Sequence, residues 1–195
     1  MIIWINGAFG SGKTTAAFEL HRRIENSFVY DPENVGYFIR KNTPKKFTQG
    51  DFQDIPLWRE MNYKMLKMIS VEYNGTIIVP MTLTNLDYYN EIISKLLSDG
   101  IEIRHFILYT SKPVLIKRLN KRFDGAGSWP RQQIDRCINA FDNHITEQKI
   151  MTDNKSIDDV VDEIASKSGL LLPPDNRSLM RKKIDKIKIS LSHIR

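Results

Sequence analysis

The chain has 195 residues, enough for one domain and a short appendage. Its 41% hydrophobic content can supply a core, and its single cysteine, Cys137, excludes an internal disulfide and suits a reducing, cytoplasmic compartment. The net charge of +6 is gathered at one end: residues 175–195 carry seven Lys and Arg against two Asp, leaving 22 basic against 21 acidic residues in the first 174. The body therefore lacks the basic face that nucleic-acid binding requires, and with no run approaching 18 apolar residues and no basic leader before the first apolar stretch, neither a transmembrane helix nor a signal peptide is expected.

Residues 2–6 form a short apolar run that predicts a buried strand, and 13–24 predict a helix. Between them, Gly7-Ala8-Phe9-Gly10-Ser11-Gly12-Lys13-Thr14 fits G-x-x-x-x-G-K-[ST] in full, in the strand-loop-helix context that gives the motif its meaning. The glycines let successive N–H groups turn inward on an anion, and the helix start adds its dipole and unpaired donors. Residues 7–15, Thr15 included, are thus expected to hold the phosphates of ATP. Lys13 would lie on the β- and γ-phosphates and the Thr14 hydroxyl on Mg²⁺.

Residues 27–31, SFVYD, predict a second strand ending in an acid, Asp31. Strand ends on the carboxyl side of a parallel sheet converge on one crevice, so Asp31 faces the γ-phosphate as acceptor-side base or through-water metal contact. The alternative is that Asp31 caps the next helix, with Pro32 in its first turn. Residues 33–55 predict a short helix and a loop, and Pro56 opens a long helix to about residue 73. This stretch is the expected acceptor site: Phe38, Arg40, Trp58 and Arg59 are the candidates to hold a ring or sugar and a polar group.

A third strand, 76–82, ends in Pro80-Met81-Thr82 without an acid, which argues against a hydrolysing motor and leaves the metal site resting on Thr14. Asn85 caps a helix to about residue 97, a fourth strand covers 103–110, and Ser111 caps a helix through 122. Arg118 and Arg122 lie on one face of that helix. The break at 124–128 and a helix over 130–141, with Arg131 and Arg136, complete a predicted lid at about 118–136 that closes cations over developing charge and excludes water. A short strand near 149–151 and a helix over 157–168 finish the domain. Strands alternating with helices predict an α/β P-loop NTPase fold, a five-stranded parallel sheet with helices on both faces, over residues 1–172.

Beyond Pro173-Pro174, Met180, Ile184, Ile187, Leu191 and Ile194 share one face of a helix whose remainder is largely Lys and Arg. Residues 173–195 are expected to form a basic amphipathic C-terminal helix. It either lies through 177–194 on the anionic inner face of a membrane or docks on the domain.

With these residues in view, the chain resembles the small-molecule P-loop kinases, the group of shikimate kinase and chloramphenicol phosphotransferase. More narrowly, it is similar to the bacterial ATP-binding tunicamycin resistance proteins. MIIWINGAFGSGKT, FELHRR, VYDPE, IIVPMT, QIDRC and TDN.SI carry the likeness, which runs nearly end to end. The resemblance implies that Arg118 stacks on adenine, that Asp153 and Asn154 edge it, that Arg122 and Arg131 are lid arginines and that Asp31 is the acceptor-side acid. It also implies a nucleoside antibiotic such as tunicamycin as substrate. Phosphorylation of a drug hydroxyl by Lys13, Asp31, Arg118 and Arg122 leads the expectations. ATP-dependent sequestration without chemistry and a housekeeping small-molecule kinase are the alternatives.

Overall fold

The computed structural model describes residues 1–47, 50–122, 124–125, 127–178, 180–182 and 184–185. Five strands, β1 (Ile2–Gly7), β2 (Ser27–Val29), β3 (Thr76–Pro80), β4 (Ile103–Tyr109) and β5 (Gln148–Met151), form one parallel sheet in the order β2-β3-β1-β4-β5. Central β1 is buried at every position, the near-continuous apolar run expected of a strand covered on both faces. Its side chains alternate between two cores. Ile2 and Trp4 join Ile77 and Val79 beneath α2 (Glu33–Asn42) and α3 (Pro56–Glu72), while Ile3 and Ile5 pack with Phe106, Leu108 and Ile150 against α1 (Lys13–Arg23) and the last helix.

Where an unbroken helix is expected at 85–97, α4 (Leu86–Tyr89) runs through a π-helical turn (Asn90–Ser94) into α5 (Lys95–Ser98). Neighbouring Ile92 and Ile93 are both fully buried at that widened turn, and the Asn85 carboxamide caps α4 on the N–H groups of Asp87 and Tyr88. The helix after β4, α6 (Lys112–Asn120), ends two residues early. The expected helix at 130–141 is two pieces, α7 (Trp129–Gln132) and α8 (Ile134–Asn143). Ile107, Leu115, Leu119, Ile134, Cys137 and Phe141 make a third core between β4, α6 and α8. The final helix, α9 (Ile157–Lys167), opens on a capping box in which Ser156 and Asp159 satisfy each other's backbone.

The segment after α9 is bound to the domain rather than appended to it. The Arg23 guanidinium donates to the Pro173 carbonyl at 2.9 Å and pairs with Asp162 at 2.7 Å. Arg177 pairs with Glu19 of α1, with Asp175 and with Asp185, and Lys182 reaches Asp158 of α9 at 2.7 Å. Of the expected apolar stripe, Met180 and Ile184 are exposed; Ile187, Leu191 and Ile194, with Lys183, Lys186 and Lys188, lie outside the described residues. No helix among the described residues is long and apolar enough to cross a membrane.

Candidate nucleotide site

The loop after β1 is curled by three glycines with positive φ, Gly7 (+147°), Gly10 (+86°) and Gly12 (+103°). A methyl group on Gly7 would stand 2.6 Å from Ser11 Oγ and 2.8 Å from the Leu108 carbonyl oxygen, so the cradle closes only around a bare α-carbon. The Ser11 N–H donates to the Ala8 carbonyl at 3.1 Å, tightening the turn. Helix α1 then starts at Lys13 with no side-chain cap and no acid in its first turn, leaving its N–H groups and positive dipole end available to an anion. Ser11 Oγ is buried there without a hydrogen-bond partner. An uncapped helix start, a cradle without side chains and an orphaned hydroxyl fit the phosphates of a nucleotide.

The floor of the loop is a polar stitch with no counterpart among the sequence expectations. Fully buried Asn6 accepts the Gly7 and Leu83 N–H groups at 2.8 and 2.9 Å and donates to the Leu83 carbonyl, while the Thr82 hydroxyl donates to the Gly7 carbonyl at 2.8 Å. Where motor ATPases carry an acid at the end of this strand, a hydroxyl fixes the loop. Lys13 folds back on the Ala8 carbonyl at 3.1 Å and lies 5.4 Å from the Phe9 ring centre. Burial in the loop pushes its ammonium down to about 8, with the Cys137 thiol and the Glu33 carboxylate acting in the opposite sense.

On one side of the loop a cavity of about 380 Å³ opens between Gly10–Gly12, Arg118 of α6, Arg122 just beyond it, and Thr152, Lys155 and Ser156 after β5. Arg118 is fixed there by hydrogen bonds to the Ser11 carbonyl (3.2 Å), Thr152 Oγ1 (3.1 Å) and the Thr152 carbonyl (2.8 Å), which joins the phosphate loop to the turn after β5. The Asp153 carboxylate turns away to accept the Ser111 N–H at the start of α6, at 2.9 Å, and Asn154 is exposed. Thr152 and Lys155, on either side of the expected pair, line the cavity instead.

On the other side Asp31 ends the β2 segment. Its Oδ1 accepts the Glu33 N–H at 3.0 Å and its carbonyl the Asn34 N–H, so it does open α2 as a cap. Glu33, absent from the sequence candidates, lies in the field of Lys13 and accepts the Tyr37 hydroxyl at 3.3 Å; the D-P-E spacing was its available signal. Phe38 is exposed, and Arg40 donates to the Gly50 carbonyl at 2.7 Å with its guanidinium over the Phe52 ring. Trp58 and Arg59, the other two candidates, are buried. Trp58 is fully buried, its indole N–H on the Pro32 carbonyl at 3.0 Å. Arg59 is buried between Glu91 (2.7 Å), the Gln53 carbonyl (2.6 Å) and the Tyr88 ring. Both tie the start of α3 to the backbone that precedes it, Trp58 at Pro32 and Arg59 at Gln53.

In the segment expected to be a lid, Arg122 borders the cavity and Arg131 is tied to Asn120 Oδ1 at 2.7 Å. Trp129 stands edge-on to Phe9 with ring centres 5.0 Å apart, so α7 rests on the phosphate loop. Phe123 and Ala126 lie outside the described residues. Among the described residues the one trio of mutually close acidic ligands, Glu19, Asp158 and Asp175, is occupied by Arg177, Arg22 and Lys182.

No family model and no curated protein matches the chain. Solved structures do. The tunicamycin resistance protein of Deinococcus radiodurans superposes with a TM-score of 0.75 at 32% identity, over 89% of this chain and 99% of that one. The chain belongs to the tunicamycin resistance protein family. Other similar structures share the fold alone. A sugar kinase of Janibacter sp. HTCC2649 matches over 87% of this chain and 94% of its own, with 15% identity and a TM-score of 0.61. The APS kinase of Mycobacterium tuberculosis matches over 86% and 96%, with 14% identity and a TM-score of 0.56. This family member therefore carries an α/β P-loop fold of the kinase kind.

Proposed function

We propose that the protein is an ATP-dependent phosphotransferase that phosphorylates a hydroxyl of tunicamycin or a closely similar nucleoside antibiotic. The observation that carries this reading is the phosphate loop itself, with a cavity beside Arg118 on one flank and the Glu33 carboxylate in the field of Lys13 on the other. The cavity beside Arg118 suits a nucleobase, and the side bearing Asp31 and Glu33 suits an acceptor. The loop N–H groups and the start of α1 would hold the phosphates, Lys13 the β- and γ-oxygens and Thr14 the Mg²⁺. Bound Mg-nucleotide supplies the phosphoryl group. Asp31 accepts the hydrogen bond of the acceptor hydroxyl and takes its proton at the carboxylate. Arg122 offsets the negative charge that grows between donor and acceptor, and Phe9 with Trp129 keeps water from competing.

A second reading, ATP-dependent sequestration of the drug, is favoured by one detail: Asp31 Oδ1 is already committed to the Glu33 N–H, which weakens a base. Weighing tunicamycin by mass spectrometry after incubation with protein and Mg-ATP separates the two. A gain of one phosphate supports transfer; unchanged drug bound in stoichiometric amount supports sequestration. ADP formed with ordinary metabolites and without drug would support a housekeeping kinase.

Contact of 177–194 with an anionic membrane is a separate proposal, supported by the exposure of Met180 and Ile184. Co-sedimentation with anionic liposomes that is unchanged by Met180→Glu and Ile184→Glu discards it.

A further inference from the structure

The QIDRC stretch falls on α8 and its residues divide between two walls of the crevice. Cys137 is buried against Ala8 and Phe9 of the phosphate loop and takes the Phe9 N–H at its sulfur. Its neighbour Arg136 points the other way, to the segment that joins α2 to α3, where Arg136 Nη2 lies 3.6 Å from Asp51 Oδ2. Asp51 is no surface acid: its side chain is 10% exposed. Its Oδ1 accepts the Gln53 N–H at 3.1 Å, which opens the short 3₁₀ turn at Phe52–Asp54. The backbone around it is pinned on both sides, Gly50 by Arg40 and Gln53 by Arg59, and the Tyr88 hydroxyl holds Asp54 at 2.8 Å. A braced arm thus presents one shielded carboxylate to one cation of the helix that carries the phosphate loop on its back.

At 3.6 Å the contact is an ion pair and not a hydrogen bond, so the Arg136 guanidinium, 47% exposed, can donate to an incoming oxygen without giving up a bond. We propose that Asp51 is a positioning residue that holds Arg136 over the acceptor side of the crevice, and that Arg136 contacts the oxygen-rich acceptor. This rests on the reading of that side as the drug site. It assigns acceptor affinity to the pair and leaves nucleotide affinity to the loop and Arg118.

Calorimetry with tunicamycin, in the presence of a non-hydrolysable Mg-ATP analogue, tests the assignment without needing turnover. Asp51→Asn keeps an oxygen for the Gln53 N–H and removes the charge, together with the long 3.5 Å bond that Oδ2 accepts from Gln53 Nε2. It should weaken drug binding about tenfold while nucleotide affinity stays within about twofold. Arg136→Gln should cause the same loss, and the double variant no more than either alone, because the two act as one unit. Unaltered drug affinity in Asp51→Asn, losses that multiply in the double variant, or an equal fall in nucleotide affinity would each overturn the proposal. If the wild-type protein binds no tunicamycin, the functional reading fails, and amide exchange then decides the pair. Arg136→Gln with Mg-ATP should speed exchange over residues 52–58; unchanged exchange would refute the positioning role.

Discussion

The Lys13 ammonium donates to the carbonyl oxygen of Ala8, five residues back within its own loop, at 3.1 Å. That bond occupies the lysine with a neutral acceptor while burial lowers its pKa from 10.5 to about 8. The charged form is disfavoured in the empty site and favoured by triphosphate, so nucleotide must draw a proton to Lys13 at pH values above about 8. Nucleotide affinity should be level up to that pH and then fall towards tenfold per pH unit. Lys13→Arg, charged throughout, should abolish that dependence even if its affinity is lower. Calorimetric titration between pH 7 and pH 9.5 checks this, and a level wild-type affinity across the range would refute the lowered pKa.

Gly7 and Gly12 both have positive φ, but only Gly7 is walled in. Gly7→Ala should abolish nucleotide binding and lower the melting temperature, because its methyl group would meet Ser11 Oγ at 2.6 Å and a main-chain oxygen at 2.8 Å. Nothing lies within 4 Å of a methyl group at Gly12, so Gly12→Ala meets backbone strain alone, about 1–2 kcal/mol. Thermal melts and nucleotide titrations of the two variants, side by side, separate crowding from strain. Equal effects would mean that the Gly7 cradle is not as closed as its contacts require.

Asp31 serves two roles that substitution can divide. Asp31→Asn retains an oxygen for the Glu33 N–H at the start of α2 but cannot take a proton. It should fold with wild-type stability, bind drug nearly normally and lose phosphate transfer. Asp31→Ala should in addition lose about 1 kcal/mol of stability with the cap. Turnover retained by Asp31→Asn would return Asp31 to capping alone and make Glu33, which shares the field of Lys13, the next acid to replace.

The phosphate loop, the strand alternation and most helix ends were legible because each is local: a motif of eight residues, a period, a capping side chain. The burial of Trp58 and Arg59 was not legible, because nothing local separates a side chain that lines a crevice from one that braces it. Asp51, Asn6 and Thr82 went unseen for the complementary reason. Their partners Arg136, Leu83 and Gly7 come from other elements, and only the sheet order brings them together. The stretches that carry the family likeness gain individual work in the fold. VPMT brings Thr82 to the loop, QIDRC joins the loop to the segment between α2 and α3, TDN.SI seats Arg118 and caps α6 and α9, and FELHRR receives the tail.

The last of these is the most open to a stability measurement. Glu19 of FELHRR is buried, and Arg177, from beyond the proline pair, reaches it along with Asp175 and Asp185. Hydrogen bonds from Arg177 hold the Asp175 carboxyl well below its usual 3.8, so its contribution is complete above the ordinary carboxylate range and is lost as pH falls below it. Arg177→Ala leaves Glu19 with Arg22 alone and should lower stability by about 3 kcal/mol at neutral pH, the low end for breaking a buried ion pair. Adding Glu19→Gln should recover part of that loss by removing one of the two buried carboxylate charges, Glu19 and Asp175, that then share Arg22. Urea unfolding of the three proteins checks it. If Arg177→Ala unfolds at the wild-type midpoint, the Arg177 cluster contributes no stability to the domain. A loss that Glu19→Gln partly restores makes the tail an integral part of the fold that holds the phosphate-loop helix.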